Sequence, residues 1–351
     1  MTGPRIAILG SGVEAWLFAA LFRQLSRRAG TLLVIPTPNE RGPATIALPP
    51  VVASAHALLR IAPPVLAAFG RPRYGIRIAG ADGTEALIPY GSFGDPDAPG
   101  TLADAWIRLR SEDGAPPLAS LSINRALMAG GQLRPDSDPR LLRSIGAGWE
   151  IDTDRYTALL KEAALSRGAE CSAIAPDAVE SDLVIDARED RRPASAGETG
   201  WHGRTLSIGS AARSWDTAEP FAIAAVLAAA ARLATLLPRR DAMPLLAREY
   251  NRLLAIELAG METASALLAR LAGRDAPCGT LDRYEARYRA AGLLPADPQP
   301  WTQDIWLSAF DALGWRPQRY DPNIDRFDGD RSTRRFDGWK ALIDRHIADH
   351  A

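Results

Sequence analysis

The chain has 351 residues, 47% of them hydrophobic and 24% charged, a globular composition that excludes a disordered or fibrous protein. Its 41 basic and 42 acidic residues leave a net charge of −1, so no global field draws nucleic acid or an anionic membrane surface. Two cysteines and four histidines exclude a disulfide framework, and no metal centre is expected.

The first predicted strand is Arg5 to Leu9, broken by Gly10-Ser11-Gly12. Val13 to Ala29 follows a helical period, with Trp16, Leu17, Ala20, Leu21 and Leu25 near one face, and Thr31 to Ile35 is a second strand. Such a strand–turn–helix–strand unit opens dinucleotide-binding folds. Residues 36 to 50 are proline-rich and irregular, and Val51 to Phe69 reads as a helix interrupted at Pro63-Pro64. Tyr74 to Ile78 and Glu85 to Tyr90 read as strands joined at Asp82-Gly83, and a short helix is expected around Trp106. Asp152 to Arg167 carries an aspartate N-cap and is closed by Gly168. Leu183 to Ile185 is a strand ending at Asp186, Leu206 to Gly209 another, and Phe221 to Leu236 a long helix. Residues 240 to 351 read as mainly helical with aromatic anchors. The expected fold is α/β, a Rossmann-like FAD/NAD(P)-binding core of the flavin monooxygenase type with a mainly helical C-terminal half. Residues 1–238 are expected to form the core and 239–351 the helical region. The alanine-rich run from Phe221 contains Arg232 and falls short of a bilayer span, so a cytoplasmic protein is expected.

Gly10, Gly12 and Ala15 occupy the three small-residue positions of a phosphate-binding loop: a tight turn, close backbone approach, and helix packing. Glu14 sits in the first helical turn, beside the expected phosphates. A like charge about 5 Å away at an effective dielectric near 20 costs about 3 kcal/mol. The second strand ends Ile35-Pro36-Thr37, without the acid that holds a ribose hydroxyl. His346 and His350 stand at helical i, i+4 spacing but lack a third ligand. Trp301, Trp306 and Trp315 read as core or interface packing rather than an aromatic groove. Arg188 to Arg192 reads as a solvated loop, and Cys171 and Cys278 as inert thiols.

The string Ile6 to Trp16 resembles the opening of flavin-dependent tryptophan halogenases, whose glycine-rich loop is followed directly by tryptophan. Gly42-Pro43-Ala44-Thr45-Ile46 with Pro49 is similar to that family's G-E-[AS]-T-x-P segment, and Arg73-Tyr74-Gly75-Ile76 to its K-L-G-I strand. Trp149 to Asp152 with Tyr156 and Leu160, and Leu183 to Ala187, resemble further family segments. Ile208-Gly209-Ser210-Ala211-Ala212 through Glu219 and Ile223 resembles the I-G-D-A-A-G-F-x-x-P-L-E-S-T-G-I block. Glu249-Tyr250-Asn251 and Gly314 to Pro322 complete the order.

The resemblance implies FAD as cofactor, with Gly10, Gly12, Ala15, Gly209, Ser210 and Ala211 at cofactor-binding positions and Glu219 at the position of a catalytic acid. It also implies departures. The relay lysine of the K-L-G-I strand, which hands hypohalous acid to the substrate, is Arg73 here. A guanidinium cannot stand in for that amine. Only two lysines exist, Lys161 and Lys340, one mid-helix and one near the end of the chain. Ser210 replaces the flavin-binding aspartate, Pro43 a glutamate, and Pro220-Phe221-Ala222 a small-residue run; the W-x-W-x-I-P signature is absent. The stretch from Arg192 to Leu206 is too short for the family's substrate sheet. From the residues alone, Glu219 reads as a solvated or capping carboxylate before the next helix. The expectation is a shortened, degenerate family member without tight FAD binding. Its role would be non-catalytic: an accessory or binding protein, with a halogenase-like flavoprotein or a second copy as partner. The alternative is an FAD-dependent monooxygenase working without the lysine relay.

Overall fold

The computed structural model describes residues 3–26, 30–37, 42–80, 83–97, 101–112, 114–173, 180–190, 199–236, 243–297, 299–326 and 329–348. The chain forms two compact units, Met1–Pro72 with Gly148–Ala259, and Arg73–Ala147 with Gly260–Ala351.

The first unit opens with β1 (Ile6–Leu9), α1 (Val13–Leu25), β2 (Leu32–Ile35), β3 (Thr45–Leu48), α2 (Val52–Leu59), α3 (Pro63–Ala67) and β4 (Gly70–Arg73), whose last residue begins the second unit. The second unit continues with β5 (Gly75–Ala79), β6 (Glu85–Pro89), α4 (Leu102–Ser111), α5 (Ile123–Met128), β7 (Gln132–Leu133) and α6 (Pro139–Ser144). The chain then returns to the first unit through β8 (Gly148–Asp152), α7 (Thr153–Leu165), β9 (Glu170–Cys171), β10 (Leu183–Asp186), β11 (Trp201–His202), β12 (Thr205–Ser207), α8 (Gly209–Ala212) and α9 (Phe221–Leu236). Helix α10 (Met243–Leu271) contributes its first part to this unit and the remainder to the other. The second unit ends with α11 (Gly279–Ala291), α12 (Gln303–Ala312), α13 (Gly329–His346) and β13 (Ile347–Ala348).

This division differs from the expected boundary after residue 238. The reason is non-local strand pairing: β8 returns to lie antiparallel to β3, with Leu48 opposite Trp149, which draws residues from 148 onward back to the first unit. Strand β3 itself lies in the proline-rich stretch read as irregular.

The first unit is built on a sheet of order β11-β12-β10-β1-β2-β9, parallel except for β11. In β1, Ile6, Ala7 and Ile8 are buried, as expected of a central parallel strand covered on both faces. Helix α1 is buried from Val13 to Phe22, all round rather than along one stripe, because it packs against both α7 and α9. Leu25, placed on the buried face from its spacing, is 41% exposed. The α7 caps match their signals: Asp152 accepts from the Arg155 amide at 2.9 Å, and Gly168 adopts φ +87°. Gly209, read as the end of a strand, instead begins α8. The chain order β1–α1–β2, with β10 on the other side of β1, is the doubly wound arrangement predicted, and its crevice opens where β1 and β10 end.

In the second unit, β5 and β6 form an antiparallel hairpin with Gly75 opposite Pro89, and α12 packs on β6. Of the turn placed at Asp82-Gly83, Gly83 has φ +81° and its amide donates to the Gly80 carbonyl at 3.1 Å, while Asp82 lies outside the described residues. Trp301, Trp306 and Trp315 are buried, and Trp306 lies 5.0 Å from Trp301 and 5.8 Å from Phe310, ring to ring. They form packing, as expected, and not a groove. Among the described residues, no helix is long and apolar enough to cross a membrane.

Candidate functional site

The crevice at the end of β1 is shaped by two left-handed glycines. Gly10 has φ +128°, and a Cβ there would lie 2.8 Å from the Ala187 carbonyl oxygen. Gly209 has φ +52°, and its Cβ would lie 2.7 Å from the Glu14 carboxyl carbon. Neither position accepts a side chain. Gly12 is the N-cap of α1, and it offers no side chain to satisfy the first-turn amides.

Two acids take up that room. Glu14 is 3% exposed, and its carboxylate accepts from the Ser210 amide at 2.8 Å and from the Ser210 hydroxyl at 2.5 Å. Glu189 reaches α1 from the loop after β10, and its Oε1 accepts from the Glu14 amide at 3.0 Å. A Cβ at Gly12 would lie 2.6 Å from the Glu189 carboxyl carbon, so the close approach that Gly12 permits is used by the chain's own side chain. Asp186, fully buried at the end of β10, accepts from Arg188 Nε at 2.9 Å and Nη2 at 2.8 Å. The adjoining cavity, about 320 Å³, is lined by Glu14, Gly42, Pro43, Glu189, Asp190 and Ser210 among others.

The structure therefore brings Gly10, Gly12 and Ala15 together with Gly209, Ser210 and Ala211, linked by Glu14. Sequence reasoning flagged Glu14 as a like charge beside the expected phosphates. Burial against Ser210 is where its side chain goes instead. The reading of residues 188 to 192 as solvated is corrected in part: Arg188 and Glu189 are tied to buried groups of the sheet and of α1, Asp190 is exposed as expected, and residues 191 and 192 lie outside the described ones. The available signal was position, since loops leaving the carboxyl ends of parallel strands face the ligand crevice.

An FAD pyrophosphate would require the first-turn amides of α1 and the open face of Gly12. Glu189 holds an amide and that face, and Glu14 and Asp190 add negative charge to the same cavity. As arranged, these residues do not fit a pyrophosphate dianion.

Other predicted residues lie elsewhere. Glu219 is 4% exposed, so its reading as a solvated carboxylate is corrected; its backbone carbonyl accepts from the Phe221 amide at 2.9 Å, at the start of α9. Arg73 ends β4 with its guanidinium 5.5 Å from the ring centre of Tyr90. Lys161 lies on α7 with its Nζ 5.5 Å from the Trp16 ring, and Lys340 bonds Asp344 at 2.7 Å. His346 ends α13, and His350 lies outside the described residues. Among the described residues, no group of three or more potential ligands is placed to hold a metal. Cys171 and Cys278 are both free. Of the shortened stretch after residue 192, positions 199 onward are described; Trp201 and His202 form β11, whose backbone Asn251 pins by accepting from the Trp201 amide at 2.7 Å.

A family model described as tryptophan halogenase matches residues 5–182. Among solved structures, the flavin-dependent halogenase BrvH from Brevundimonas sp. BAL3 superposes with a TM-score of 0.78 at 18% identity, covering 98% of this chain and 97% of that one. A flavin-dependent halogenase from Xanthomonas campestris gives 0.78 at 14% identity, with 98% and 96% covered. A tryptophan halogenase from Shewanella frigidimarina NCIMB 400 gives 0.76 at 12% identity, with 98% and 95% covered. These likenesses show the fold. A search of curated proteins found no match.

Proposed function

We propose that this chain, which belongs to the tryptophan halogenase family, is a non-catalytic member acting as an accessory or binding protein. The observation that carries this reading is Arg73, which stands where the resemblance places the relay lysine and packs its guanidinium over Tyr90. A guanidinium stays protonated at any physiological pH and offers no lone pair to capture an oxidised halogen. Neither lysine supplies the missing amine: Lys161 lies over Trp16 in the first unit, and Lys340 is engaged by Asp344.

A halogenase-like flavoprotein or a second copy of the chain is the partner in this reading. Trp301, Trp306 and Trp315 are buried and offer this partner no contact surface. Support comes instead from large apolar residues left exposed elsewhere, Leu245 at 61% and Ile256 at 56% on α10. The second reading, a monooxygenase using flavin directly, is favoured by the retained turn at Gly10 and by the fold's flavin-dependent relatives.

The test supplies the purified protein with FAD, a flavin reductase, NADH, bromide or chloride, and a panel of indoles. No halogenated product is expected, and chlorinated or brominated indole overturns the proposal. A flavin spectrum in the purified protein together with reductase-dependent oxygen consumption selects the monooxygenase reading.

A further inference from the structure

The family's cofactor and this chain's glycine crevice disagree, and the disagreement has a specific author in Glu189. β10 delivers the chain to the crevice at Asp186, and the paired hydrogen bonds from Arg188 to Asp186 fix the backbone one residue before Glu189. Glu189 is thereby aimed at the start of α1. There a carboxylate meets the positive end of the helix macrodipole and an amide that Gly12 cannot cap. Its second oxygen lies 3.6 Å from the position a Cβ would take at Gly42, on the far side of the same cavity. The carboxylate thus matches a bound phosphate in charge, in acceptor geometry and in its use of the space that glycine leaves.

We infer that Glu189 is a built-in competitor for the anion site of the glycine loop, occupying the place that a dinucleotide pyrophosphate would take there. The inference goes beyond the non-catalytic reading, which is carried by Arg73, and it stands whichever way the halogenation assay falls. The ligand class is a pyrophosphate, either inorganic or within a dinucleotide. The geometry assigns Glu189 an occluding role because its Oε1 holds the Glu14 amide and its carboxyl carbon fills the space beside Gly12. A residue that only decorated the rim would leave the Glu14 amide open.

The experiment titrates FAD, NAD and inorganic pyrophosphate separately into the full-length protein and its variants. Binding is read by flavin anisotropy for FAD and by calorimetry for the other two. Glu189→Ala is expected to bind FAD about tenfold more tightly than the unsubstituted chain, and the isosteric Glu189→Gln about threefold. Asp190→Asn removes a charge from the same cavity without vacating Gly12, and is expected to change affinity by less than about twofold. Tighter binding of pyrophosphate alone identifies the free anion as the ligand, and tighter binding of FAD or NAD a dinucleotide; each supports the competitor. Equal affinities for the unsubstituted chain and both Glu189 variants overturn it, and so does an equal gain from Asp190→Asn, which would make the effect one of net charge. No binding by any variant at millimolar ligand also overturns it. Glu189→Gln preserves shape, so the comparison survives if the alanine variant folds poorly.

Discussion

The two units bury acids in different ways. In the first, Glu14 and Asp186 are almost wholly enclosed; the amide and hydroxyl of Ser210 donate to Glu14, and the amide and guanidinium of Arg188 donate to Asp186. In the second, burial pushes the half-buried Asp304 up to about 7; the Phe93 amide opposes that shift, and the like charge of Asp104 reinforces it. The first unit's acids sit at the carboxyl ends of parallel strands, where α/β folds place their chemistry. The second unit's acid sits beside a pile of tryptophans. A buried charge that is fully partnered marks a site, whereas one that is poorly partnered beside packed aromatics marks a cost of packing. Substitutions that separate partnering from packing test this contrast.

The largest effect is expected at the aromatic pile. Trp306 is 1% exposed and meets Trp301, Phe310 and Tyr284 ring to ring. Trp306→Ala is expected to cost about 3–5 kcal/mol in denaturant unfolding, the range for truncating a buried aromatic. Hydrogen exchange should show protection lost from α12 and the β5–β6 hairpin while α1 keeps its own; uniform loss would mean the units do not differ in this way.

Next comes the acid exchange between positions 14 and 210. Ser210 stands where the resemblance places an aspartate, and Glu14 brings a carboxylate to it. Ser210→Asp sets a half-buried carboxylate against the buried Glu14 and is expected to destabilise by about 3 kcal/mol. Adding Glu14→Ala should recover about 2 kcal/mol of that loss, measured as the coupling in a double-mutant cycle. Additive losses would show that the two positions do not share one charge site.

What the sequence made legible followed local rules. Gly10 and Gly12 between an apolar run and a helical period announced the β1–α1 turn, and Asp152 and Gly168 bracketed α7. The Glu14–Ser210 bond joins residues 196 positions apart, and nothing local states which acid will be buried by which distant hydroxyl. Glu189 was concealed for a related reason: its run of charges looks like any solvated loop until the strand before it is placed in a sheet. The unit boundary was missed because β3 and β8 pair across the whole second-unit insertion. Ordering of motifs survives in sequence, whereas long-range partnering does not.

His56 sharpens the contrast from the basic side. It is buried in α2 with its Nε2 2.7 Å from the Tyr156 hydroxyl, and burial lowers its pKa from 6.5 to about 4. The folded state therefore holds a neutral imidazole where the unfolded chain takes up a proton. Its contribution is complete above pH 6.5 and is lost as pH falls toward 4. Discounted for relaxation and solvent entry, the loss is about 2 kcal/mol. Subtracting the pH–stability curve of His56→Gln from that of the unsubstituted protein should expose this slope, and parallel curves would remove it.

Asp304 carries the opposite sign and the smallest effect. Its folded pKa is raised from 3.8 to about 7, so the folded state binds the proton more tightly. Stability is then favoured at low pH and declines as pH rises from about 4 through 7, levelling off above. Asp304→Asn keeps an oxygen to accept from the Phe93 amide and removes the charge. The substitution should be neutral near pH 4 and stabilise by about 1–2 kcal/mol at pH 8, after discounting for partial exposure and for the carboxylate's favourable place in the first turn of α12. A variant less stable at pH 8 than the parent would mean that Asp304 is partnered as fully as Glu14. The distinction between an acid held at a site and one tolerated in packing would then fail at this position.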